Sequence, residues 1–198
     1  MLKIGVDIDN TLTDVQAELN LAAYNYAKSL GKNINEKSLS EDINNNASFY
    51  KEKFKFSYKE LKYFLKDIQE DIISKAKPRG SAVEVIKKLK SEGNEIYIIT
   101  ARANEFHDDP YKLSKDWLDK SNIIYDKLIV NAIDKVQTCK EEKIDIFVDD
   151  QLHNCIALCN AGITSIRISK DKQNYDNIVT LENWKAIYKY ISKMENNK

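Results

Sequence analysis

The chain reads as a doubly wound α/β protein, a parallel sheet with helices on both faces and a small helical cap inserted after the first strand. Three observations predict this. Five short runs rich in Ile and Val, at residues 2–8, 95–100, 127–130, 145–148 and 164–168, are almost continuously apolar. Strands covered on both faces have that character. Helical patterns alternate with these runs, which builds parallel βα units with right-handed crossovers. Finally, no convincing strand occurs between residues 14 and 78, so the alternation is interrupted once.

Residues 2–8 form the first strand and deliver Asp7 and Asp9, followed by Asn10 and Thr11. Strand side chains alternate faces, so both carboxylates cannot be satisfied in a buried sheet centre. They belong at the C-terminal edge, where open α/β sheets bind ligands. Neighbouring carboxylates repel unless a cation or a shared proton relieves them. The pair therefore suggests a divalent metal site, a nucleophile with its general acid, or both.

Residues 15–30 predict a helix closed by Gly31 as its C-terminal cap. Residues 49–56 are aromatic and basic. Over residues 58–74, Leu61, Phe64, Leu65, Ile68 and Ile72 recur at spacings of three and four, a second helix. Pro78 ends the block because it cannot continue a helix. An insertion at this point is expected to lie over the C-terminal edge of the first strand, as a lid does. The expected division is a core of residues 1–13 and 79–198 and a helical cap of residues 14–78.

From residue 81 the alternation is regular. Helix 81–91 places Val83, Val85, Ile86 and Leu89 on one side. Strand 95–100 ends in Thr100-Ala101-Arg102, where a hydroxyl and backbone N–H groups can hold an anion. Helix 111–120 leads to strand 127–130 and then to Asp134-Lys135, which opens helix 135–143. A lysine there can meet phosphate as a compact charge, with Lys140 and Lys143 competing for the role. Strand 145–148 ends in Asp149-Asp150. Magnesium prefers oxygen ligands and usually takes one or two carboxylates plus substrate phosphate, which Asp7, Asp149 and a phosphoester would provide. Helix 151–160, strand 164–168 and helix 181–194 complete the pattern.

The 198 residues suffice for one domain with a small inserted subdomain. Thirty-one basic and 31 acidic residues cancel, which leaves no general footprint for a nucleic acid polymer or an anionic membrane. Lys3 and Asp7 interrupt any apolar leader, and no apolar run nears the roughly 20 residues of a membrane span. A soluble, cytoplasmic protein is expected. Cys139, Cys155 and Cys159 contain no Cys-x-x-Cys pair. Cys155, Cys159 and His153 could share a metal or be idle reduced residues. The oligomeric state is open, with a homodimer as one option.

Asp7-x-Asp9-x-Thr11, then Thr100, Lys135 and Asp149-Asp150, resemble in order the four motifs of the haloacid dehalogenase superfamily of phosphohydrolases, whose core is Rossmann-like. The resemblance implies that Asp7 attacks phosphorus to form an aspartyl-phosphate and that Asp9 is the general acid and base. It implies Thr100, Ala101 and Lys135 around the phosphoryl group. It further implies Mg²⁺ held by Asp7, Asp149, Asp150 and the backbone carbonyl of Asp9. The strings Ile98-Ile99-Thr100-Ala101-Arg102, Trp117-Leu118, Tyr125-Asp126-Lys127-Leu128 and Ile144 to Asp150 look like the 5′(3′)-deoxyribonucleotidase family and its bacterial relatives.

That closer likeness implies a nucleotidase acting on nucleoside monophosphates. Caps of the family hold the base with aromatic residues. Phe49, Tyr50 and their aromatic neighbours could do so here or could form the interior of the helical block. Arg102 could touch phosphate or ribose, or pair with Glu105 or Asp108. His107 could touch substrate or be solvated. A sugar phosphate is the alternative substrate. A non-catalytic module binding Mg²⁺ and a phosphorylated ligand is the alternative of another class, against which Asp9 argues, since pure binding needs no acid.

Overall fold

The computed structural model describes residues 1–35, 39, 47–171, 173 and 175–196. Residues 36–38 and 40–46 of the expected insertion lie outside that set. The strands are β1 (Lys3–Val6), β2 (Glu95–Ile99), β3 (Lys127–Ile129), β4 (Ile146–Asp149), β5 (Thr164–Ile168) and β6 (Val179–Leu181). The helices are α1 (Gln16–Ser29), α2 (Ala47–Lys53), α3 (Tyr58–Tyr63), α4 (Glu70–Lys75), α5 (Ala82–Ser91), α6 (Pro110–Lys120), α7 (Lys135–Glu142), α8 (Leu152–Asn160) and α9 (Trp184–Asn196). A π-helical turn, Phe64–Gln69, joins α3 to α4.

All six strands are parallel, in the order β3-β2-β1-β4-β5-β6. The first strand of the chain is therefore central, and both its neighbours come from later βα units. Pleating sends alternate side chains to opposite faces. Ile4, Val6, Ile96, Ile98, Ile146 and Val148 pack toward α5, α6 and α9. Tyr97, Ile99 and Phe147 pack toward α7 and α8, against Cys139 and Leu158.

The sixth strand corrects the sequence reading, which begins a helix at residue 181. The backbone instead pairs Ile166 with Val179 and Ile168 with Leu181 before α9 starts at Trp184. A half-covered edge strand of three residues leaves no apolar run for periodicity to detect.

Helices α1 to α4 have an interior of their own, built from Leu19, Ala23, Tyr50, Phe54, Phe56, Leu61 and Phe64. Gly31, at φ 73°, turns the chain out of α1 in the left-handed conformation that glycine adopts without a Cβ clash. Ser57 starts α3 with a capping box: its hydroxyl accepts from Glu60 N–H, and the Glu60 carboxylate accepts from Ser57 N–H. This helical segment docks on the loop after β2 and on α6. The Trp117 indole donates to the Ala76 carbonyl at 2.9 Å, Glu70 meets His107 at 2.7 Å, and Lys66 pairs with Asp108 at 2.7 Å.

Candidate active site

The residues singled out at the strand ends converge at the C-terminal edge of β1 and β4. Asp7 N–H donates to the Val148 carbonyl at 3.0 Å, which extends the ladder one residue past β1. Alternation then sends Gly5 and Asp7, like Phe147 and Asp149, to the face covered by α7 and α8. Gly5 is required there. A Cβ on it would stand 2.3 Å from Cδ2 of the buried Phe147 ring.

Lys135 is the first residue of α7, and the Asp134 carboxylate caps that helix by accepting from Gln137 N–H at 2.9 Å. The Lys135 Nζ lies 5.4 Å from the Phe147 ring centroid and is buried between two carboxylates. It donates to Asp7 Oδ1 at 2.8 Å and to Asp149 Oδ2 at 2.6 Å. Asp149 also accepts from Gln151 N–H at 2.8 Å and from Asn154 Nδ2 at 3.0 Å. Asp150 accepts from Gln151 Nε2 at 2.7 Å and, more weakly, from Thr11 Oγ1 at 3.5 Å.

One ammonium does not neutralise three carboxylates. Burial pushes the Asp7 carboxyl up to about 7, with Asp149 and Asp9 adding to the rise and Lys135 opposing it. Burial, then Asp149 and Asp7, hold Asp150 well above the ordinary carboxylate range. Burial works against the Lys135 ammonium, but Asp149 and Asp7 outweigh it and raise its pKa above the ordinary lysine value. The remaining negative charge suits a cation. Asp7, Asp149 and Asp150 each offer an oxygen within 4.8 Å of the others, and they are the one such group among the described residues. An all-oxygen set of this kind fits Mg²⁺. His153, Cys155 and Cys159 form no such group.

Asp9 has a different environment. The Arg102 guanidinium forks onto it, Nε to Oδ2 at 2.9 Å and Nη2 to Oδ1 at 2.7 Å, and Arg102 Nη1 also donates to Ser114 Oγ at 3.3 Å. Burial would lift the Asp9 carboxyl, but Arg102 prevails and holds it below the ordinary range. Arg102 therefore pairs with Asp9 and not with Glu105 or Asp108. The loop carrying Asp9 is itself fixed. Asn10 takes φ 58°, its carbonyl accepts from Arg79 Nη1, and the Thr11 carbonyl accepts from Trp184 Nε1 at 3.1 Å.

Thr100 is buried at the end of β2, where its hydroxyl accepts from Arg102 N–H at 3.4 Å, and Ala101 beside it is exposed. Lys140 and Lys143 lie exposed toward the far end of α7. His107 is buried against Glu70 and is not solvated. The structure does not bring Tyr50 and Phe49 to an open surface. Tyr50 is fully buried, with its ring 4.9 Å from Phe64, and half-buried Phe49 leans on Tyr50 and Phe54. Sequence reasoning missed the Arg102 fork, the Trp184 clamp and the Asn154 bond. Only Asn154 left a signal, one helical turn after Asp150 at the start of α8.

A family model described as 5′ nucleotidase, deoxy (pyrimidine), cytosolic type C protein matches residues 1–196. A nucleotidase from Clostridium acetobutylicum is 30% identical over 98% of this chain and 95% of its own length. Among solved structures, a predicted phosphatase from the same organism superposes with TM-score 0.71 at 14% identity, covering 98% of this chain and 99% of the other. A haloacid dehalogenase-like hydrolase from Streptococcus pneumoniae gives TM-score 0.67 at 14% identity, covering 96% and 98%. These two structures share the fold.

Proposed function

This chain belongs to the 5′ nucleotidase, deoxy (pyrimidine), cytosolic type C family of haloacid dehalogenase-like phosphatases, and on that premise we propose that it is a Mg²⁺-dependent phosphomonoester hydrolase acting on (deoxy)nucleoside monophosphates. The observation that carries the reading is the meeting of Asp7, Lys135 and Asp149, with Asp150 at its rim. In this reading residues 14–78 are a cap and residues 1–13 and 79–198 the catalytic core.

A phosphate monoester resists attack because it is already anionic. Asp7, Asp149, Asp150 and the Asp9 carbonyl would hold Mg²⁺, whose charge would neutralise both the cluster and the incoming phosphate. The Lys135 ammonium, fixed by two carboxylates, adds positive charge of its own. Thr100 Oγ and the Ala101 N–H orient the phosphoryl group. Asp7, relieved of its neighbours' repulsion, is the nucleophile, and an aspartyl-phosphate divides the reaction into two displacements. Asp9 protonates the leaving alkoxide and then takes a proton from the attacking water. The Arg102 fork keeps Asp9 aimed and ionised at rest, which suits the second step. For the first step Asp9 must carry a proton, which it takes from solvent water or from the monoprotonated phosphoester once substrate phosphate competes for Arg102.

A second reading keeps this chemistry and changes the substrate to a sugar phosphate or other small phosphoester. Burial of Tyr50, Phe54 and Phe64 favours it, because rings packed inside the helical segment are not free to stack on a base. Phosphate release from nucleoside monophosphates and sugar phosphates, measured with Mg²⁺ and with EDTA, decides between them. Asp7→Asn is expected to lower kcat by about 10⁴ or more while Mg²⁺ and phosphate still bind. Asp9→Asn is expected to bind substrate and to lose turnover. Full activity in either variant refutes the mechanism.

A further inference from the structure

A cavity of about 530 Å³ opens beside Asp150, a volume typical of small-molecule sites. Asn10 and Asp150 line it, together with a rim of three cationic residues, Arg79, Arg167 and Lys170. Asp150 offers an oxygen within 4.8 Å of one on Asp7, so the cavity begins beside the reacting carboxylate. Asp14 and Gln16, at the start of the helical segment, also line the cavity. That segment is anchored on the other flank of β1, through Glu70 to His107 and Lys66 to Asp108.

The rim is cationic and partly pre-positioned. Arg167 is held in the wall by donating Nε to the Asp150 carbonyl at 3.3 Å and Nη1 to Asp171 at 2.8 Å. Arg79 is held by the Asn10 carbonyl. A guanidinium has five N–H donors, so these bonds leave donors on both groups. Lys170 is exposed and makes no hydrogen bond or ion pair among the described residues. Asp14 and Asp150 are the acids of the cavity, and Asp150 belongs to the metal cluster. Phosphate held at Asp7, Thr100 and Lys135 would not use this rim.

We propose that the rim is a second anion subsite, and that the substrate is a phosphoester whose leaving portion carries a further anionic group, phosphate or carboxylate. Lys170, Arg167 and Arg79 receive that group while the scissile phosphate lies at Asp7. The inference rests on the phosphatase reading above and narrows its substrate class. For a nucleotide it means a nucleoside bisphosphate in preference to a monophosphate.

The test compares kcat/KM for thymidine 3′,5′-bisphosphate and thymidine 5′-monophosphate in the wild-type chain and in Lys170→Ala. Glucose 1,6-bisphosphate, glucuronic acid 1-phosphate and glucose 1-phosphate form a parallel series that separates phosphate from carboxylate. The wild type should prefer the doubly anionic member, and Lys170→Ala should lower that preference about fivefold, as loss of a solvent-facing charge pair does. A preference that is absent, or equal in both proteins, overturns the subsite. If no substrate releases phosphate, the phosphatase reading fails. The same ratios, taken as calorimetric affinities for the intact compounds, then judge the subsite separately by the same criterion.

Discussion

The sheet and the helical segment fill their interiors in different ways. Between β1 and its neighbours the core is aliphatic and largely β-branched, with Ile4, Val6, Ile96, Ile98, Ile146 and Val148 in register across three strands. The interior of α1 to α4 is a cluster of rings, with Tyr26, Tyr50, Phe54, Phe56 and Phe64 in tilted and stacked contacts at centroid separations of 4.9–6.4 Å. In the sheet the backbone ladder fixes the direction of every side chain, so a residue one step past a strand end is aimed as firmly as one inside it. Asp7 and Asp149 profit from this. Ring packing fixes no comparable direction and can be filled in several ways. Groups that must stay fixed to fractions of an ångström stand on the sheet. The helical segment is joined to the rest of the chain by a few polar contacts and by packing on Phe106 and Leu113.

Substitutions in the two interiors sharpen or break this contrast. The largest expected effect is Phe64→Ala, which removes the ring touched by Tyr26, Tyr50 and Phe56 and should cost about 3–5 kcal/mol. Amide exchange should accelerate over residues 16–75 and stay slow in β1 and β2. Equal acceleration in the strands would make the two regions one cooperative unit. Next is Gly5→Ala, whose methyl meets the Phe147 ring in a sheet that cannot yield. It should cost about 1–3 kcal/mol in denaturant unfolding, spread over the whole sheet.

The smallest effect concerns Glu60, whose carboxyl is held down at about 2 by its bond to Lys32 and by the two to Ser57. An acid depressed in the folded state stabilises above its unfolded value of 4.5, and the contribution fades as pH falls through about 2. The difference in thermal midpoint between wild type and Glu60→Gln should therefore narrow between pH 5 and pH 2. A difference that is constant over that window would mean that the charge on Glu60 adds nothing to the stability of the fold.

The same contrast explains what the sequence made legible. Strands buried on both faces leave unbroken apolar runs, so β1 to β5 and the polar residues at their ends could be read directly. Strand order could not, because β1 pairs with segments more than 90 residues away. β6 was hidden by its short length and half-exposed edge. The π-helical turn at Phe64–Gln69 follows from no local rule, since Leu61, Phe64, Leu65 and Ile68 also suit a regular helix. In the site, spacing could mark Asp7, Asp9 and Asp149 as polar residues in apolar surroundings. The partners they take are tertiary facts. That Lys135 bridges Asp7 and Asp149 while Arg102 takes Asp9 depends on how α7 and the loop after β2 approach the sheet edge.

The clamp of Trp184 on Thr11 joins residues 173 positions apart. At ribosomal elongation of about 5–20 residues per second, the loop bearing Asp7 and Asp9 waits roughly 9 to 35 s between its own synthesis and the arrival of that indole. The strand before it emerges first and must wait for β2 and then β4 to flank it. The loop bearing Asp7 and Asp9 thus gains this hold only after the segment that carries Trp184 has been made.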